Sequence, residues 1–134
     1  MGATDDSTAI RDAAETLSRD ELAALQLKRL RATVGRVLAA QPVGAERLRQ
    51  AGITAPEDLA ELGDLSAVPF TAKSDLREHY PFGLLAVPRE ELVRVHASSG
   101  TRGKPTVVAY TRADLDTWSE LMARLMWERA CAHT

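Results

Sequence analysis

Leu27, Leu30, Val34, Val37 and Leu38 recur at the spacing that lines one face of a helix, the stripe that an amphipathic helix buries. Ser18 and Glu21 precede them at capping-box spacing, with Leu17 and Leu22 placed as a hydrophobic staple. The pattern predicts a helix from Ser18 to Gln41-Pro42. Shorter helical stretches are expected over Glu46 to Ala51 and Pro56 to Leu62, stopped at Gly52 and Gly63 by left-handed caps. Thr54 and Glu57 repeat the capping spacing before the second of these. Thr71 is placed to cap a further helix from Ala72 to His79, which Tyr80-Pro81 closes.

The period changes near residue 90. Leu92-Val93-Arg94-Val95-His96 and Thr106-Val107-Val108-Ala109-Tyr110 are β-branched and alternating, and predict two strands. Thr111 and Asp114 then open a long helix whose stripe is Leu115, Trp118, Leu121, Met122, Leu125 and Met126, read as core packing. The expected fold is α/β: a helical layer, a β-hairpin carrying a loop, and a long helix. The expected domains are a disordered terminus over 1–16, a helical subdomain over 17–80, and the start of a second domain over 81–134.

Composition alters this picture little. The 134 residues are 45% hydrophobic and 27% charged, with a net charge of −2, a soluble globular balance with no basic stripe to bind nucleic acid. No apolar run is long enough to span a bilayer, and the acidic first residues lack a signal-peptide core. No nucleic-acid or membrane partner is expected, and the expected location is cytoplasmic. The single Cys131 makes no internal disulfide. With His133 it could form a thiol–imidazole pair, but a small residue near a helix end is the plainer reading. No metal-ligand spacing occurs.

Candidate chemistry sits between the two strands, in Ser98-Ser99-Gly100-Thr101-Arg102-Gly103-Lys104-Pro105. Two glycines let the backbone approach a ligand, and successive N–H groups in such a turn can cradle phosphate oxygens. Ser98, Ser99 and Thr101 add hydroxyl donors, and Lys104 adds a positive charge. This is no Walker A loop, because Ser98 and Pro105 stand where that pattern needs Gly and Ser or Thr. Composition alone leaves a ligand-free hairpin loop equally open.

The stretch from His96-Ala97-Ser98-Ser99-Gly100-Thr101 through Gly103-Lys104-Pro105-Thr106-Val107-Val108 to Tyr110-Thr111 resembles the phosphate-loop motif of phenylacetate-CoA ligases, adenylate-forming enzymes. Two upstream stretches also resemble that family: Leu17-Ser18-Arg19-Asp20-Glu21-Leu22 with Leu25-Gln26, and Val68-Pro69-Phe70-Thr71-Ala72-Lys73-Ser74-Asp75-Leu76-Arg77 running into Tyr80-Pro81-Phe82-Gly83. The resemblance implies ATP phosphate binding by Ser98, Ser99, Gly100, Thr101, Arg102, Gly103 and Lys104, ATP with Mg as cofactor, and CoA as co-substrate. It implies an aryl carboxylic acid as substrate.

Arg102 departs from the small hydroxylated residue usual in the family. It can pair with a phosphate or point to solvent. Family ligases run to several hundred residues, and the positions of their catalytic lysine and acid pocket have no counterpart in these 134. No catalytic residue is therefore carried over. The chain is expected to be the N-terminal portion of a ligase, inactive by itself. The alternatives are half of a split enzyme completed by another chain, or a non-catalytic binding or regulatory module. Association with itself or with a chain supplying the missing portion is expected.

Overall fold

The fold was obtained as a computed structural model, which describes residues 13–98 and 104–131. After a short 3-10 turn at Ala13–Thr16, helix α1 runs over Arg19–Ala40. Its start is the expected capping box. Ser18 Oγ accepts from the Glu21 amide at 3.3 Å, and Glu21 Oε2 accepts from the Ser18 amide at 2.8 Å. The Ser18 hydroxyl and amide hold the Glu21 carboxyl below its ordinary pKa.

Helix α2, Pro42–Gln50, begins earlier than expected. Pro42 sits in its first turn, where the missing N–H costs nothing. Gln41 joins the two helices: its amide donates to Val37 and its side chain accepts from the Gly44 amide. A Cβ on Gly44 would lie 2.7 Å from Val37 Cγ1, so glycine lets α2 turn back closely upon α1. The end of α2 is a Schellman motif: Gly52 takes φ +83°, its amide donates to Arg49, and the Ile53 amide donates to Leu48 at 2.8 Å. The motif drops Ile53 into the core with Val34, Leu48 and Leu59, and Leu27, Leu30, Val37, Leu38 and Val68 pack around them.

The helix expected over Pro56 to Leu62 is replaced by two 3-10 turns, Pro56–Asp58 and Leu62–Ala67, the second running through Gly63. Leu59 is drawn inward to 1% exposure. Arg31 takes the carbonyls that a continuing helix would use, with Nε donating to Leu59 at 2.9 Å and Nη2 to Ala60 at 3.3 Å. Asp58 rather than Glu57 caps this region, accepting from the Thr54 amide and hydroxyl and from the Ala55 amide.

Helix α3 is only Lys73–Glu78, and Thr71 does not cap it. Asp75 does so from inside, accepting from the Ala72 amide at 2.7 Å. The Tyr80–Pro81 peptide that follows is cis. Strands β1, Leu92–Ala97, and β2, Val107–Thr111, pair antiparallel with His96 opposite Val108 and an irregularity between Leu92 and Arg94. No other strand occurs among the described residues.

Helix α4, Arg112–Cys131, opens with Thr111 and Asp114 bonded reciprocally, as expected. Trp118 of α4 stacks on Tyr110 at 5.7 Å, and His96 meets both rings edge-on. Farther along α4, Leu121, Met122, Leu125, Met126 and Trp127 remain exposed. Beyond Trp118 the stripe read as core is left uncovered by the described residues. No helix among them is long and apolar enough to cross a membrane.

Candidate functional site

The candidate loop joins two adjacent antiparallel strands, so its ends are brought together by the ladder itself. A clasp extends the ladder: the Ser98 amide donates to the Thr106 carbonyl at 2.9 Å, and the Thr106 amide donates to Ser98 Oγ at 3.1 Å. Ser98 therefore closes the base of the loop with its oxygen and keeps its O–H available as a donor. Ser99, Gly100, Thr101, Arg102 and Gly103 lie outside the described residues.

Lys104 is exposed where the chain returns from the loop. Its Nζ stands 5.9 Å from the centre of the Tyr80 ring, within cation–π range. Tyr80 comes from the turn after α3 and entered the sequence reading as a helix stop and as part of a family-like stretch, with no link to the loop. No local spacing could have joined it to Lys104. Thr106, the other half of the clasp, is 9% exposed, and its Oγ1 is buried with no hydrogen-bond partner among the described residues.

The segment bearing Tyr80 is anchored from behind. Arg47 of α2 grips Asp75 of α3 bidentately, at 2.8 and 2.7 Å, the geometry that suits guanidinium and carboxylate. The Arg47 hydrogen bonds and the Ala72 amide hold the Asp75 carboxyl well below the usual carboxylate range, and Asp75 in turn raises Arg47. From α3 and the turn after it, Leu76, His79, Pro81, Phe82, Leu84 and Leu85 face Val107, Val108 and Ala109 of β2 around a cavity of about 140 Å³. A larger cavity, about 530 Å³, lies at the Thr111 end of the hairpin, away from the loop.

Chemically, the described part of the site offers one ammonium, one hydroxyl donor and a pinched hairpin base. That set suits a phosphate oxygen. Among the described residues no three His, Cys, Asp or Glu side chains gather as a metal site.

No protein-family model matches the chain. Curated proteins do. A phenylacetate-coenzyme A ligase of Aromatoleum evansii is 54% identical over 110 residues, covering 82% of this chain and 25% of that protein. The phenylacetate-coenzyme A ligase of Escherichia coli K12 is 50% identical over 113 residues, 84% of this chain and 26% of its own length. A matched stretch of that length in a chain of 134 cannot avoid residues 98–104. Among solved structures, a 2-hydroxyisobutyryl-CoA ligase in complex with 2-HIB-AMP and CoA superposes with a TM-score of 0.76 at 32% identity, over 91% of this chain and 28% of that one. The helical layer with its small antiparallel sheet thus resembles the matching part of that CoA ligase. The chain spans about a quarter of the length of the curated relatives it matches.

Proposed function

We propose that the chain, which matches phenylacetate-CoA ligases over about a quarter of their length, provides the N-terminal part and the ATP phosphate loop of an aryl-acid CoA ligase. The complete enzyme joins an aryl carboxylic acid to ATP, releasing pyrophosphate, and then passes the acyl group from AMP to the thiol of CoA. On this reading residues 17–80 form a helical subdomain and 81–134 begin the ATP-binding domain.

Within that reaction the chain's own residues bind and orient. Lys104 offsets charge on the leaving phosphates, an electrostatic role that is strongest where the charge is pre-placed. Ser98 holds the loop shut at its base and offers its hydroxyl proton to a phosphate oxygen. Ser99, Gly100, Thr101, Arg102 and Gly103 complete the proposed phosphate site. Mg accompanies ATP, and the described residues provide no carboxylate cluster to hold it.

The observation that carries the reading is an overall identity near 50% across a matched stretch that includes the loop between β1 and β2. The test is titration calorimetry of the chain with ATP and with tripolyphosphate. Binding of both, weakened about tenfold or more in Lys104→Met, is expected. Equal affinity in wild type and Lys104→Met overturns the phosphate loop.

The exposed α4 stripe favours a form in which further ligase sequence, in the same or another chain, covers this helix. The chain by itself is therefore expected to show no acid-dependent ATP–pyrophosphate exchange. Exchange above background with any aryl acid contradicts that.

A further inference from the structure

Resting on the phosphate-loop reading above, we infer that Tyr80 is a positioning residue for Lys104, seating its ammonium at the mouth of the loop. The two residues come from different parts of the chain, and the Lys104 Nζ lies 5.9 Å from the ring centre. Among the described residues no carboxylate pairs with Lys104, so the ring face is the feature that draws the ammonium. A lysine on four rotatable bonds otherwise sweeps a wide volume, and fixing it when a ligand arrives costs conformational freedom.

The seat itself is held firmly. Tyr80 follows α3, which Arg47 clamps through Asp75, and the next residues face β2 across a small cavity. β2 is the strand that Lys104 leads into. The ring and the ammonium are therefore borne by two segments that approach the same strand. Tyr80 is 41% exposed and Lys104 is exposed too, which leaves room for a polyphosphate to meet the outward N–H groups while the ammonium stays seated.

The test uses the 134-residue chain with isotope-labelled lysine. The Lys104 ε-methylene protons should be shifted upfield by the ring, keep that shift in Tyr80→Phe, and lose it in Tyr80→Leu. Tripolyphosphate should bind about two- to fivefold more weakly to Tyr80→Leu than to wild type, the strength of an exposed cation–π contact, with Tyr80→Phe near wild type. In a Lys104→Met background Tyr80→Leu should change nothing further. Wild-type Lys104 resonances at random-coil positions overturn the inference even if Tyr80→Leu fails to fold. So does an equal loss of affinity from Tyr80→Leu with and without Lys104. An intact, Tyr80-dependent ring shift in a chain that binds no tripolyphosphate refutes the phosphate-loop reading while supporting the seat.

Discussion

Two single residues have consequences beyond their neighbourhood. Thr106 buries a hydroxyl oxygen that meets no partner among the described residues, and such a group forfeits its bonds to water, about 1–3 kcal/mol. Thr106→Val keeps the shape and removes the orphan, so it should stabilise the chain by about 1 kcal/mol in chemical denaturation. Asp75 behaves differently, because its carboxylate is fully used by Arg47 and the Ala72 amide. Its folded pKa lies below the unfolded value of about 3.9. The stabilisation is therefore present above about pH 4 and lost as pH falls toward the depressed value. Melting temperatures should fall below that pH in wild type and vary less in Asp75→Asn, which should already melt several degrees lower at pH 7. An unchanged acid limb in Asp75→Asn would show that other carboxylates, such as the capping Asp58 and Glu21, dominate it.

Elements here are bounded mainly by hydrogen bonds within one turn. Ser18 with Glu21 and Thr111 with Asp114 start the two long helices in the same reciprocal way. Ser18→Ala should cost about 1 kcal/mol, measured as a shift in the denaturation midpoint with an unchanged slope. The end of α2 depends instead on backbone handedness. Gly52 at φ +83° has open space around a would-be Cβ, so Gly52→Ala tests conformation alone. A loss of about 1–2 kcal/mol is expected. No measurable loss would mean that the Schellman turn rearranges cheaply.

At the scale of the whole molecule, the core is confined to α1, α2 and the segment that follows. Val34, Ala45, Leu48, Ile53 and Leu59 are the buried apolar residues described. The hairpin and α4 bury much less: Val93, Val95, Trp118, Leu121, Met122, Leu125 and Met126 are all exposed, and Phe70 stands 97% exposed on its loop. A two-stranded hairpin is marginal by itself, and an apolar face of this extent tends to find cover. The pure chain should therefore self-associate at micromolar concentration in sedimentation velocity. Replacing Leu121 and Leu125 together by Glu should return it to monomer. A wild-type chain that sediments as a compact, cooperatively melting monomer would contradict this.

The sequence by itself determined whatever depends on spacing within a turn or on alternation along a strand. The α1 stripe, its capping box, the Gly52 cap, the hairpin strands to within a residue and the Thr111–Asp114 start were all legible, because partners three or four residues apart meet by helix geometry. The resemblance to phenylacetate-CoA ligases was legible for the same reason, since it is carried by short contiguous runs of residues. Only the tertiary structure decided the break between Pro56 and Ala67, where Arg31 and the burial of Leu59 overrode a helical pattern ending at Gly63. It also decided that Arg47 meets Asp75 across 28 residues and that Tyr80 lies under Lys104. Contacts of that kind depend on where the chain returns after several turns, which local periodicity does not encode. The α4 stripe shows the division most plainly: its pattern says that one face seeks an apolar partner, and the fold alone shows that the described residues leave most of that face open.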